Sequence, residues 1–379
     1  MLQVLIVRVI ARLELGGTQL GALRLCEALG RCGTQTRLLA AEADADCRAL
    51  FERAGIEVEV WPDARENMQY ACSSAFARWL GPRLEGADLV HGHMFGAWWA
   101  AAEAAAGDMP VVASEHNALQ WPGRPRTREM RRALQQVDAF FAHGPATRAA
   151  VRRLGFPAAR THAGRSAVEA PSPPGLAGSS DRLFEGAPRP RVLFAGRLHQ
   201  EKGPDLLLEA LARLARPPAC FMLGAGPQEA ELRQRAQQLG LADVVRFPGW
   251  QRHVGPWLAG ADLLVVPSRH EAWSQSAVTA MAHGVPVIAT NVEGLPSTLA
   301  DGRGVLVAPE DPEALAGAIA YLLGGRGLPD LEAARRYAAR HTAADVAAYY
   351  ESVYRSLISS SPPLRQLAEQ RLAERRAAA

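Results

Sequence analysis

One pattern runs through nearly the whole chain: a short apolar run, then a longer Ala/Leu/Arg stretch whose apolar positions recur with helical period. A strand that must be followed by a helix before the next strand pairs in parallel, buried on both faces. The pattern predicts strands at Val4–Ile10, Thr36–Ala40, Glu57–Trp61, Leu89–His91, Val111–Ser114 and Ala139–Ala142. A second series follows at Arg191–Ala195, Ala219–Leu223, Val244–Phe247, Leu263–Val266, Val285–Ala289 and Gly304–Val307. Between the two series, Pro171–Pro190 is rich in Pro, Gly and Ser and lacks periodicity, as an interdomain linker does.

The expected class is therefore α/β, with two doubly wound, Rossmann-like halves facing a central cleft. Residues 1–170 form the first domain, 171–190 the linker and 191–344 the second domain. A helix at about 345–360, with apolar spacing Tyr349, Tyr350, Val353, Tyr354 and Leu357, is expected to pack back on the first domain, and 361–379 is a polar tail. A chain of 379 residues exceeds what one core usually serves, which agrees with two domains.

Bulk chemistry excludes several classes of function. A net charge of +3 is too mild to call for a nucleic-acid partner without a concentrated basic face or a reading motif, and no such motif occurs. The cysteines Cys26, Cys32, Cys47, Cys72 and Cys220 are odd in number and scattered, which argues against a disulfide framework or a zinc site and fits a reducing cytoplasm. Leu2–Ile10 has the hydrophobicity of a signal-peptide core, but it carries Arg8, lacks a basic leader and runs into a Gly-rich turn. No apolar stretch reaches the roughly 18 residues that a membrane span needs.

In doubly wound sheets ligands bind at the carboxyl ends of strands, so residues just after each run carry most of the functional weight. Lys202 is the only lysine among 42 Lys plus Arg, and it lies in Gly196–Gly203, between a strand end and the helix expected at Asp205–Leu214. An ammonium is a compact point charge on a flexible stem, suited to a phosphate oxygen in a tight site. With Arg197 and the amides of the following helix it forms a plausible diphosphate cradle. A second strand end leads through Ser268, Arg269, His270, Glu271, Ala272 and Trp273 into a helix whose early amides, near Ser274, Gln275 and Ser276, are free for phosphate. A carboxylate there would repel phosphate, so Glu271 either meets a sugar hydroxyl or serves as an N-terminal dipole partner.

The second half resembles retaining glycosyltransferases of the GT-B fold, glycosyltransferase family 4. The resemblance rests on GRLHQEKGPDLLLEAL, on the GAGPQEAEL loop from Gly224, on VRFPGW, and on ADLLVVPSRHEAWSQSAVTAMAHGVPVIAT ending at Thr290. It implies a nucleotide-sugar donor, UDP-sugar favoured, held at Gly196, Arg197, Lys202, Gly224, Glu271, Trp273, Ser274, Gln275, Ser276 and Thr279. Arg197 and Lys202 match the diphosphate pair, and Glu271 matches the first glutamate of the family's paired glutamates, which contacts the donor sugar. The second glutamate, which holds the ribose, falls on Thr279, a neutral side chain with less to offer those hydroxyls. Trp273 and Ser274 also stand where the pattern usually has Phe or Tyr and Gly.

In the first half, Gly16, Gly17 and Thr18 resemble the family's Gly-Gly loop beside the donor diphosphate and acceptor. His93, Glu115, His116 and Asn117 follow two further strands and, with Thr18, are the acceptor-binding residues that the resemblance implies; His116 matches the family histidine near donor sugar and acceptor. Read without the family, His93 or His116 can instead be a histidine that caps a strand end, a reading that weighs more for His93. Acidic residues Glu14, Glu42, Asp44, Asp46, Asp63, Glu66 and Glu115 gather after strands, predicting an acidic rim that favours an amino-bearing acceptor such as an aminocyclitol intermediate of an antibiotic. Arg124, Arg126, Arg128, Arg131 and Arg132 form a basic run that fits a lipid-linked or lipopolysaccharide acceptor at the inner face of the membrane, or a solvated helix face.

The expected enzyme is a metal-independent retaining glycosyltransferase with Arg197, Lys202, Glu271 and His116 as its catalytic residues. It has no cofactor beyond the nucleotide-sugar substrate, and Asp44-Ala45-Asp46 is not read as a metal site. A nucleotide-sugar-binding module without turnover is the alternative from another class. A nicotinamide dehydrogenase is disfavoured, because no full GxGxxG follows a strand.

Overall fold

The computed structural model describes residues 4–64, 68–117, 119, 126–171 and 182–360. Glu66, Arg124, residues 172–181 of the expected linker and the polar tail lie outside these residues. The chain divides into two compact units, Met1–Ser166 with Ala344–Ala379, and Ala167–Ala343.

The first unit is built on β1 (Val4–Leu13), β2 (Thr34–Ala43), β3 (Glu57–Val60), β4 (Leu89–His93), β5 (Val111–Glu115), β6 (Ala139–Ala142) and β7 (Thr161–Ala163), in the order β3-β2-β1-β4-β5-β6-β7. The second is built on β8 (Arg191–Ala195), β9 (Ala219–Leu223), β10 (Val245–Gly249), β11 (Leu263–Val266), β12 (Val287–Thr290) and β13 (Val305–Val307), in the order β10-β9-β8-β11-β12-β13. The ladders are parallel: Ile6 pairs with Thr36 and Leu89, and Val192 with Cys220 and Leu263. Each order reverses direction once, at β1/β4 and at β8/β11, and these switch points are where such sheets open a ligand crevice.

Central strands are apolar on both faces because helices cover both. In the first unit Val7, Val9, Leu39, Val90 and Ala113 pack against Phe76, Phe95 and Trp98. In the second, Val192, Phe194, Met222 and Val265 meet Leu207, Leu211 and Ile319 on one face, while Leu193, Phe221, Leu264 and Val287 meet Trp257, Val278 and Met281 on the other. Polar side chains are buried in the first unit too: Arg8, a cation in mid-strand with 0% exposure, and His91, Ser114 and Glu115 on β4 and β5.

The helix Ala343–Ser360 packs on the first sheet, where Tyr350 stacks on Phe141 at 4.2 Å and the Tyr354 hydroxyl accepts from Arg8 at 2.9 Å. Sequence periodicity places the strands within a few residues of their observed bounds. It omits β7, three half-buried residues with no apolar run, and stops β1 and β2 before their alanine- and glutamate-containing ends.

Candidate active site

In the second unit the loops leaving β8 and β11 run together because those strands are neighbours. The Arg269 and His270 amides donate to the Glu201 carbonyl at 2.8 and 3.2 Å. The Arg269 guanidinium grips Asp205 with two bonds of 2.8 and 2.7 Å. Gly203, at φ +63°, closes this packing, since a Cβ there would lie 2.0 Å from the Pro267 carbonyl oxygen. Gly224 is pressed against the Gly196 carbonyl in the same way, with its absent Cβ 1.9 Å from that oxygen.

Within this frame Lys202 Nζ donates to Glu271 Oε2 at 2.7 Å, with the two side chains 22% and 13% exposed. Arg197, from the same turn as Lys202, is half exposed and reaches Glu201 at 3.3 Å. The Glu271 backbone is braced on both sides: its amide donates to Glu293 Oε2 at 2.9 Å and its carbonyl accepts from Gly294 at 3.0 Å. Glu293 stands at φ 42° and also holds His270 Nδ1, 3.0 Å from its Oε1.

Several side chains expected at the donor are engaged within the protein. Thr279 is 2% exposed, and its hydroxyl donates to the Gln275 carbonyl at 2.8 Å, a back-bond within its own helix. Its proton is therefore spent within the helix, and only the lone pairs of a nearly buried oxygen remain. Ser274 is the N-cap of the helix Gln275–Ala282, its hydroxyl accepting the Ala277 amide at 3.3 Å. Gln275 Nε2 donates to the Ala167 carbonyl at 3.0 Å, and the Trp273 indole N–H donates to the Tyr337 hydroxyl at 3.2 Å. The Gln275 and Ser276 amides are the first donors of that helix, and no intrahelical carbonyl can reach them. Lys202, Arg197, Glu271 and these amides carry the remaining polar chemistry.

In the first unit Gly16 is the N-cap of the helix Gly17–Arg31, with Gly17 and Thr18 exposed in a first turn that contains no acid. His93 ends β4 and Glu115 ends β5, with His116 and Asn117 just beyond. Glu115 is 0% exposed; its carboxyl accepts from the Trp98 indole at 3.3 Å and from the His116 amide at 3.1 Å. Burial pushes it up to about 8. It is thus no part of an acidic rim, and its reach toward an acceptor ends at its own core.

Other members of the expected rim are engaged locally. Glu14 pairs with Arg12 at 3.1 Å, Glu42 accepts the Met68 amide at 3.3 Å, and Asp44 caps the helix Ala45–Arg53. Asp46 and Asp63 are exposed. Asn117 accepts the Leu119 amide at 2.8 Å, a turn-forming use of its side chain.

The histidines form a stacked series. His91 and His93 lie 4.1 Å apart between ring centroids, His93 and His116 6.0 Å, and His116 and His143 3.9 Å. Burial holds His116 down to about 4 and His93 well below the usual imidazole range, and the Arg8 charge adds to the effect at His93. Both are neutral at physiological pH. Sequence reasoning missed Arg8, His91, Asp205 and Glu293. The arginine in an apolar strand and the acid at a strand exit were the available signals for Arg8 and Glu293.

The sequence pattern described as Glycosyltransferase Family 4 matches residues 15–164, and the one described as Glycosyl transferases group 1 matches residues 189–324. The D-inositol 3-phosphate glycosyltransferase of Xylanimonas cellulosilytica is 32% identical, across 88% of this chain and 90% of its own length. The protein of the same name from Jonesia denitrificans is 38% identical over 42% of each chain, so the match spans less than half of that relative. Anabaena HepE, solved with UDP and glucose, superposes with a TM-score of 0.79 at 21% identity, covering 93% of this chain and 99% of that one, which shows the shared GT-B fold. With both halves matched in order and a relative aligned along nearly its full length, the chain belongs to glycosyltransferase family 4.

Proposed function

We propose that the protein is a retaining glycosyltransferase that moves a hexose or related sugar from a UDP-sugar to a hydroxyl of a small polyol of the cyclitol class, without a metal. The observation that carries this reading is the meeting of Lys202 and Glu271 at 2.7 Å, from the ends of two adjacent strands. An ammonium for the diphosphate and a carboxylate for the sugar hydroxyls, side by side, match the two ends of a nucleotide sugar across its scissile bond. Lys202, Arg197 and the Gln275 and Ser276 amides would stabilise charge growing on the departing phosphate, which itself accepts the acceptor proton in a front-face attack. That supply of positive charge is what makes a metal unnecessary.

The name of the relatives supports a cyclitol acceptor. The burial of Glu115 and the pairing of Glu14 weaken the case for an amino-bearing one. A second reading, a lipid-linked acceptor, draws on exposed Arg126, Arg128, Arg131 and Arg132 around the helix Thr127–Leu134, whose buried side is Met130, Ala133 and Leu134. The test is to offer UDP-, GDP- and ADP-sugars with an inositol phosphate, an aminocyclitol and a lipid-linked saccharide, and to weigh the products by mass spectrometry. A cyclitol heavier by one sugar residue is expected, with the donor's anomeric configuration kept in the product's ¹H NMR coupling. Saturable nucleotide binding with no nucleotide release under any pairing would make the chain a binding module.

A further inference from the structure

Arg8 sits in the middle of β1 with 0% exposure, and among the described residues no carboxylate pairs with it. A buried cation without a counter-ion is costly, so what it touches is informative. Its NH1 lies 3.0 Å from His93 Nε2 and 3.4 Å from His91 Nδ1, and its NH2 donates to the Tyr354 hydroxyl at 2.9 Å.

A guanidinium has no acceptor, so every hydrogen bond it makes fixes its partner as the acceptor. His93 Nε2 must therefore carry a lone pair, and the ring proton resides on Nδ1. The Tyr354 oxygen accepts from Arg8 and turns its own proton to His91 Nδ1, 2.7 Å away. His91 then carries its proton on Nε2 and donates it to Ser114 Oγ at 2.7 Å. Two stacked imidazoles, 4.1 Å apart, are thus held in opposite tautomers by one guanidinium.

We propose that Arg8 is a positioning residue that holds His93 neutral with its proton on Nδ1, so that the subsite at His93 recognises a neutral or anionic oxygen of the acceptor and rejects an ammonium. This rests on the proposed transfer reaction and on the acceptor-side place that the family resemblance implies for His93. The other groups around the cluster do not undo it. Cys26 from the first helix and Tyr350 and Tyr354 from the last are neutral, with burial raising the thiol and both phenols. His116 beyond β5 and His143 beyond β6 add no negative charge. Arg8 is the fixed charge of the group, and its field opposes both protonation of His93 and the approach of a second cation.

The test uses the full chain labelled with ¹⁵N-histidine, read by long-range ¹H–¹⁵N NMR without substrate, so it stands apart from any failure of the transfer reaction. In the wild type, His93 is expected to show a pyridine-like Nε2 and a pyrrole-like Nδ1, unchanged from pH 8 to pH 5. The reverse tautomer, or protonation of His93 near pH 6.5, would overturn the proposal. In Arg8→Met the ring is expected to populate both tautomers and to titrate within that range, while the acceptor KM rises on the order of tenfold and the donor KM holds. Should Arg8→Met fail to fold, Arg8→Lys serves, since one ammonium cannot span His93 and Tyr354 as the fork does. An unchanged His93 spectrum in a folded variant at Arg8 would also refute the assignment. With the acceptor panel, an ammonium beside the reacting hydroxyl is expected to weaken binding more than tenfold in the wild type and less in Arg8→Met.

Discussion

Lys202 Nζ and Glu271 Oε2 meet at 2.7 Å, so without a donor each of these charges is satisfied by the other. A diphosphate must draw the ammonium away from the carboxylate. Glu271→Gln keeps the shape and removes the competing charge; UDP alone is then expected to bind several-fold tighter by calorimetry, while transfer slows on the order of 10²-fold. Equal UDP affinity in the two proteins would show that the pair does not compete with the nucleotide.

Lys202→Ala is expected to lower turnover by on the order of 10²-fold, because a preorganised charge on the departing phosphate is lost. Near-normal activity in that variant would remove the central assignment of the donor site.

Thr279 is where the family's second glutamate would fall, yet its hydroxyl is bonded to the Gln275 carbonyl inside the helix. Thr279→Val, of nearly equal volume, is expected to leave donor affinity within about twofold and to change stability by roughly 1 kcal/mol or less. A loss of tenfold or more in UDP binding would show that the hydroxyl leaves its helix to meet the ribose.

Glu115 couples folding to pH. Its carboxyl is held near 8 in the folded protein against an ordinary value of 4.5, so between these values the folded state keeps a proton that the unfolded chain has released. Stability from this group therefore falls as pH rises through that window and levels off above about 8, by at most about 1.4 kcal/mol per pH unit. His116, held near 4 against 6.5, acts in the opposite sense, and its contribution is lost as pH falls from 6.5 toward 4. Glu115→Gln imitates the protonated acid; its melting temperature is expected to exceed the wild type's at pH 8 and to match it near pH 4.5. Parallel curves across that range would mean that the carboxyl is ionised in the fold.

Because Lys202, Arg197 and helix amides supply the positive charge in the proposed mechanism, a chelator is expected to leave the transfer rate unchanged. A rate abolished by chelation and restored by a divalent cation would place a metal at the diphosphate.

Much of the architecture could be read from one dimension. Val192, Leu193 and Phe194 before Gly196, or Leu263–Val266 before Ser268, declare buried parallel strands and turns at their carboxyl ends, because burial on both faces demands unbroken apolar runs. Glycine at 203 and 224 stands in the quoted motifs, but only the fold shows why: each lies where two backbones touch and a Cβ would collide. Side-chain duty was harder to read. Ser274, Gln275 and Thr279 stand in the donor motif, yet each spends polar atoms on its own helix or on the Ala167 carbonyl, and Glu115, one residue from His116, is sealed in the core.

The sequence by itself determined the α/β class, the order of elements and the loops that carry polar chemistry, because periodicity and turn chemistry are local properties of the chain. Only the tertiary structure decided which loops meet. β8 lies beside β11 and so brings Lys202 to Glu271 across 69 residues, and the last helix returns Tyr354 to Arg8 across 346. Strand adjacency is set by how the whole apolar surface is best covered, a global condition that no local window contains.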